Sequence, residues 1–418
     1  MSTNILNGIQ SHQRIFIQGG AATPLELIRR LIAEAPRLNN VELMHLHTMG
    51  DAAYAKPEFA KNFKVVNLFV GSNMRDKMNY ENVDYLPCSL SEIPRLFSER
   101  YRPLDVAFVH VSPPDILGNC SLGVSVDVAR AAVDSAHIVI AQINPQMPRV
   151  LGDGIINVKK FTHTVEVDEA LPTTSLAMPS SVDKAIGQFA AELVSNGSTL
   201  QVGIGSVPDA ILASLQSHRR LGIHSEMWSD GVLKLIESGA VDNSEKKLYQ
   251  GKSVSGFVIG SRKLYDYINN NTDVIQLNTS YVNDPQVIRK NPKVVAINSA
   301  VEIDLTGQVC ADSIGPRIIS GAGGQMDFIN GAALSDDGKS IIALTSRTRH
   351  GVSRIVAGLK TGAGVVSPRS HVHYIITEYG VADLFGKTLA ERAKALINIA
   401  HPDDREALSK SWHAHFRT

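Results

Sequence analysis

RIFIQGGAATPLELIRRLIAEAPRLNNVELMHLH, residues 14–47, is the stretch on which the fold turns. RIFIQ at 14–18 and VELMHLH at 41–47 are short apolar runs of strand length. Between them, PLELIRRLIAEAP at 24–36 repeats its apolar residues at helical spacing behind a proline. Two strands separated by a whole helix cannot close as a tight hairpin, so the helix reads as a crossover between parallel neighbours. The alternation continues outward through FKVVNLFVG at 63–71, VDYLP at 83–87, DVAFVHVS at 105–112 and HIVIAQIN at 137–144, with SLSEIPRLFSER at 89–100 as a further amphipathic segment. Strand and helix in repetition predict an α/β chain built on a largely parallel sheet.

At 418 residues the chain is long enough for two large domains. PSSVDKAIGQFAAELVSNG at 179–197 reads as a turn leading into a helix that stops at Asn196-Gly197, and it marks the start of the second domain, giving 1–180 and 181–418. The two halves open alike. GGAATPLELI at 19–28 and GIGSVPDAIL at 203–212 each place a proline five residues after a glycine at the head of a helix, and each half goes on to a His-bearing strand end, HLHTMG at 45–50 and IHSEMW at 223–228. Two α/β domains of related topology are the expectation, with chance similarity of Gly-Pro turns as the alternative.

Composition narrows the function. Lys+Arg and Asp+Glu are 41 each, so there is no basic excess to track nucleic acid or to hold an anionic membrane. The start MSTN carries no basic region before an apolar core, and the densest apolar pieces, such as AHIVIAQI at 136–143, fall well short of the roughly 18 residues that cross a bilayer. Cys88, Cys120 and Cys310 form no CxxC pair and read as packing residues in a reducing cytoplasm.

Several strings invite chemistry. LQVGIGSVPDAILASL at 200–215 is a strand, a glycine turn and a helix, which leaves free N–H groups where the helix dipole favours an anion. Gly203, Gly205 and the acidic Glu226 some twenty residues on imitate a dinucleotide fingerprint, but Pro208 stands where the third glycine belongs. A phosphate-binding turn and a plain tight turn both remain. HYIITEYGVADLFGKTLAERAKALINIA at 373–400 imitates a Walker loop, yet five residues separate Gly380 from Gly386 where four are required, and Asp383 would repel phosphate. Glu378 and Tyr379 there are better read as lining a cleft at a strand end. The pairs His45/His47, His371/His373 and His413/His415 lack a third ligand at metal spacing, so no metal is expected. NCSLG at 119–123 has Asn119 where a nucleophile elbow needs glycine.

The sharpest local signal is GIHSEMWSDGVLKLIESGAV at 222–241, which puts Glu226 at a strand-to-helix junction; its plainer reading is an exposed loop carboxylate. ISGAGGQMDFINGA at 319–332 offers unhindered backbone N–H groups of the kind an oxyanion hole requires. VVAINSAVEIDLTGQVCADSIG at 294–315 predicts a β-hairpin that turns at Thr306-Gly307 and carries Asn298.

Taken in order, NLFVGSNMR at 67–75, LSEIPRLF at 90–97, DVAFVHVSPPDILGNCSLGVSVD at 105–127 and NPQMPRVLGD at 144–153 resemble the acetyl-CoA hydrolase/transferase family, which includes 4-hydroxybutyrate, butyryl and acetate CoA-transferases. The resemblance extends through QVGIGSVPDA at 201–210, GIHSEMWSDGV at 222–232, NSAVEIDLTGQV at 298–309, SGAGGQMDF at 320–328 and TEYGVADLFGKTLAERAKALINIAHPDDR at 377–405. It implies two open α/β/α domains, with coenzyme A as part of the substrate and no metal. It further implies that Glu226 attacks the acyl-CoA thioester, that Gly203, Ile204, Gly205, Ser206 and Val207 contact CoA, and that Gly321 to Gln325 form the oxyanion and CoA segment, with Gly323 and Gly324 as donors. Asn298 would be a second polar group of the site, and Trp228 would shape the acyl pocket.

The resemblance implies an enzyme that moves CoA between a short-chain acyl-CoA and a free carboxylate of the acetate, butyrate or 4-hydroxybutyrate class, by ping-pong through a glutamyl-CoA thioester. An acyl-CoA hydrolase on the same site and a non-catalytic binding module are the rivals. Partners are small molecules, and a homodimer or homotetramer suits an enzyme of this size. Lys360, Arg347 and Arg354 are candidates for gripping the adenine and the 3′-phosphate of CoA. SPPD at 112–115 and Asn144 are first-half candidates that read equally as structural turns.

Overall fold

A computed structural model describes residues 5–176 and 178–416. The chain forms two compact units. The first takes residues up to Thr174 with Val254–Val282 and Ile319–Gly321; the second takes Ser175–Ser253, Asn283–Ile318 and the residues from Ala322 on.

In the first unit the six expected runs become β1 (Arg14–Ile17), β2 (Val41–His45), β3 (Phe63–Asn67), β4 (Val83–Tyr85), β5 (Val106–Val111) and β6 (Ile138–Ile143), and β7 (His163–Glu166) is a further strand that no apolar run announced. They form one seven-stranded sheet in the order β7-β6-β5-β1-β2-β3-β4, parallel throughout. Helix α1 (Leu25–Ala33) buries Leu27, Ile28 and Leu31, the apolar stripe of its sequence. Phe16 of β1 meets Phe97 edge-on at 5.7 Å between ring centroids, a favoured aromatic arrangement inside this unit's core.

The second unit begins with α2 (Ser181–Leu193), closed at its start by a capping box in which Ser180 and Asp183 satisfy each other's backbone N–H. Its strands are β8 (Thr199–Val202), β9 (Gly222–Trp228), β10 (Val294–Asn298), β11 (Lys339–Ala343), β12 (Tyr374–Thr377) and β13 (Gly380–Asp383). Within this unit their order is β13-β12-β11-β10-β8-β9, with only the β12/β13 pair antiparallel. The helices that concern the site are α3 (Ser206–Ser214), α4 (Asp230–Glu237), α5 (Gln325–Ala333), α6 (Leu389–Ile399) and α7 (Pro402–Phe416).

The two units share a plan. β1 and β8 each come first in their unit, lie inside the sheet, and have the second strand on one side and a later strand on the other. Each therefore marks a topological switch point, and each is followed by one of the two similar Gly-Pro turns. Among the described residues no helix is long and apolar enough to cross a membrane.

One expectation changes. Asn298 does not sit in a hairpin: VVAIN is the interior parallel strand β10, paired with β8 and β11, and Asn298 is its last residue. An unbroken Val-Val-Ala-Ile run suits a strand covered on both faces, whereas a hairpin face would alternate. The hairpin itself pairs Glu302–Asp304 with Val309–Cys310 and turns through Gly307 at φ 97. The GKT string also resolves: Thr388 caps α6 in a capping box with Glu391, so the segment is a helix start rather than a phosphate loop.

Candidate active site

Strand register brings the main candidates into one row. Thr199 is level with Gly222 and Leu200 with Ile223, and the backbone of Val202 meets the Ser225 hydroxyl at 3.3 and 3.4 Å, which keeps the same offset. Gly203 is the first residue past the end of β8, and Glu226 follows Ser225 in β9. On the other side Val202 is level with Ile297, the residue before Asn298. Residues level across parallel strands share a face. Asn298 at the end of β10, Gly203 just past the end of β8 and Glu226 near the end of β9 thus lie at the carboxyl ends of three adjacent strands, at the switch point where open α/β sheets bind ligands.

Glu226 lies two residues inside the end of β9 and is half-buried. Its Oε2 accepts a hydrogen bond of 3.1 Å from Nδ2 of Asn283, a residue with no exposed surface. Gly324, at the N-cap of α5, comes so close that a Cβ there would lie 2.1 Å from both Glu226 Oε2 and Asn283 Nδ2. Gly323 before it has φ 55, the left-handed region that glycine enters without strain. His224, on the same face of β9, packs its ring 6.3 Å from that of Phe328 on α5. The strand and the helix start are thereby held together, and N–H groups at a helix start favour negative charge in front of them.

The turn after β8 is open. A Cβ on Gly203 would meet nothing within 4 Å, and its φ is not positive, so neither packing nor backbone conformation requires glycine there. Gly205 has φ 130 and does require it. Ile204 is 54% exposed, whereas Val207 is buried in the core and offers a ligand only backbone. Asn298 pairs reciprocally with Gln201: Asn298 Nδ2 donates to Gln201 Oε1 at 3.1 Å, and Gln201 Nε2 to Asn298 Oδ1 at 3.4 Å. Gln325 is bonded to Ser367 Oγ at 3.0 Å. Gly321 belongs to the first unit, where a Cβ would strike Phe69 at 2.9 Å.

Other candidates have structural employment. Lys360 Nζ lies 2.5 Å from the buried Glu302 carboxylate, and Arg347 grips Asp404 at 2.6 and 2.8 Å at the start of α7. Arg354 Nη1 donates to Ala300 O at 3.3 Å and its Nε has no partner among the described residues. Glu378 accepts from the Ser346 backbone and hydroxyl; the Arg405 guanidinium lies over Tyr379. Asp115 pairs with Arg149 and Asn144 with His110. Trp228 is 1% exposed. Burial pushes His45 down to about 4, and its Nε2 meets the Tyr54 hydroxyl. Among the described residues no three ligating side chains gather at one point; the His415 side chain lies outside the described residues.

Sequence reasoning missed Asn283 and Gln201. Asn283 precedes the Asp284 cap of a short helix and reads as part of a turn, and nothing local points to a carboxylate 57 residues earlier.

Models of the acetyl-CoA hydrolase/transferase N-terminal and C-terminal domains match residues 1–177 and 260–412. The sequence is 49% identical over 402 residues to a succinyl-CoA:acetate/propanoyl-CoA:succinate CoA transferase of Fasciola hepatica, covering 95% of this chain and 84% of that protein. It is 46% identical over 409 residues to the 4-hydroxybutyrate coenzyme A transferase of Clostridium kluyveri, covering 98% and 95%. Among solved structures, a 4-hydroxybutyrate CoA-transferase from Porphyromonas gingivalis superposes with a TM-score of 0.85 at 38% identity, covering 99% and 96%.

Proposed function

The chain belongs to the acetyl-CoA hydrolase/transferase family and is a CoA-transferase, and from that premise we propose that it moves CoA between a short-chain acyl-CoA and a free acid of the acetate, butyrate or 4-hydroxybutyrate class, with Glu226 as the nucleophile. The observation that carries this reading is the Glu226 carboxylate held by Asn283 directly in front of Gly324 and the start of α5.

Glu226 attacks the thioester carbonyl and expels CoA thiolate, leaving an acyl-glutamyl anhydride. The thiolate adds to the glutamyl carbonyl and releases the first acid, leaving a glutamyl-CoA thioester. The second acid attacks that thioester and again expels CoA thiolate, which then takes the new acyl group and frees the Glu226 carboxylate. Each step passes through an oxyanion, and one well-aimed N–H donor from Gly323 or Gly324 is worth about 3 kcal/mol to such a transition state. Gly203 to Val207 support CoA through their open backbone, and Asn298 completes the row. The three cysteines are free, which suits a reducing cytoplasm, and we place the enzyme there as a homo-oligomer of small-molecule metabolism.

Intact-mass analysis after mixing with acetyl-CoA or butyryl-CoA tests the reading. The expected product is a gain of CoA less water on the peptide carrying Glu226, and Glu226→Gln gives neither adduct nor transfer. An adduct on another residue, or transfer retained in Glu226→Gln, overturns it. Release of CoA with no transfer to added acetate would make the enzyme a hydrolase.

A further inference from the structure

The geometry points to Ser225, the residue before Glu226, as a positioning residue that sets the direction in which the carboxylate side chain leaves its strand; this rests on Glu226 being the nucleophile. The paired register of β8 and β9 joins Thr199 with Gly222 and Leu200 with Ile223. Two residues further on, at the carboxyl end of β8, a side chain joins the strands. Val202 N–H donates to Ser225 Oγ at 3.3 Å, and the same oxygen lies 3.4 Å from Val202 O and 2.6 Å from Met227 O.

A serine hydroxyl has one proton to give. Met227 O lies at the ordinary length for an O–H donor and Val202 O lies beyond it, so the proton goes to Met227. Two bonds in series, Val202 N–H to Ser225 Oγ and Ser225 O–H to Met227 C=O, therefore tie β8 to the residues on either side of Glu226. Val202, Ser225 and Met227 are all buried, where leaving an N–H or C=O unpaired is costly, and that cost holds the arrangement in place. The direction of a strand side chain follows from its own backbone. Fixing residues 225 and 227 fixes the peptide planes that flank Glu226, and Asn283 holds the carboxylate at the far end of the same side chain.

Ser335 repeats the arrangement away from the site. Val294 N–H, at the start of β10, donates to Ser335 Oγ at 3.3 Å, and the Ser335 hydroxyl donates to Asn291 O at 2.6 Å. Ser335 is buried as well. A hydroxyl that only satisfies two backbone groups costs stability at either place when removed. One that aims a nucleophile costs catalysis at residue 225 alone.

The test compares Ser225→Ala with Ser335→Ala in the full chain, by rapid-quench intact mass with acetyl-CoA and by steady-state transfer from butyryl-CoA to acetate. Both variants lower the thermal midpoint, since each leaves a buried N–H and C=O unpaired. Ser225→Ala slows adduct formation at Glu226 by about tenfold or more, toward the roughly 100-fold that a 1 Å misplacement costs. It lowers kcat and leaves KM for acyl-CoA within about twofold, whereas Ser335→Ala keeps the native adduct rate. Ser225→Thr returns the hydroxyl on a side chain that suits a strand and recovers most of that rate. Ser225→Cys, a weaker donor, falls between, and it replaces the alanine variant in the comparison if that variant does not fold. An adduct rate in Ser225→Ala within about threefold of native, an equal loss in Ser335→Ala, a rise in KM alone, or no recovery with either threonine or cysteine overturns the inference. A Glu226 adduct in the native chain keeps the underlying reading intact in that event; its absence removes both.

Discussion

Asn283 Nδ2 donates to Glu226 Oε2 at 3.1 Å, and Gly324 is the one residue type that lets both stand so near the start of α5. The bond helps orient the carboxylate, and orientation is a large part of a nucleophile's advantage. Asn283→Leu keeps the branched shape and removes the donor. The expected result is a fall of about tenfold or more in the rate of adduct formation at Glu226, with KM for acyl-CoA little changed, measured by rapid quench and intact mass.

Gly324→Ala tests the close approach itself. A methyl placed 2.1 Å from Glu226 Oε2 must push the carboxylate or the helix start aside. A displacement of about 1 Å costs on the order of 100-fold in kcat. The thermal midpoint should move little, because the N-cap of α5 is not in a positive-φ conformation. Unchanged kcat would show that the carboxylate reacts from another position.

Lys246 makes stability depend on pH. It is 2% exposed, and burial pushes its ammonium down to about 7 although Ile223 O and Lys252 O both accept from it. Above that value the folded chain has released the proton while the unfolded chain still holds it, up to the ordinary lysine range. Stability gained from this group therefore rises with pH between about 7 and 10, by at most about 1.4 kcal/mol per pH unit. Urea unfolding at pH 7 and pH 9 should show the rise in the native chain and a flatter profile in Lys246→Met.

Arg347 is a clamp on the last helix. Its two bonds to Asp404 hold α7 against the loop after β11. Arg347→Ala should lower the thermal midpoint by on the order of 2–5 °C and leave KM for acyl-CoA unchanged. A rise in KM with no loss of thermal stability would return Arg347 to the CoA phosphates.

Much of the fold was legible in the sequence because its elements announce themselves over a few residues. RIFIQ, PLELIRRLIAEAP and VELMHLH become β1, α1 and β2, since strand and helix periods are properties of neighbouring side chains. Asn298 was placed in the wrong element for the same reason: the alternating residues after it made a hairpin, and a local reading extended that hairpin backward over a strand whose partners, β8 and β11, lie far away in the chain.

By itself, the sequence determined that this is an α/β chain with a carboxylate in GIHSEM and glycine-rich turns at two helix starts, because each of these is written in consecutive residues. Only the tertiary structure decided that Asn283 holds Glu226, that Asn298 pairs with Gln201, and that Lys360 and Arg347 are already paired. Those relations depend on strand register and on which distant side chains meet, and a parallel sheet brings together strands separated by a whole helix or more.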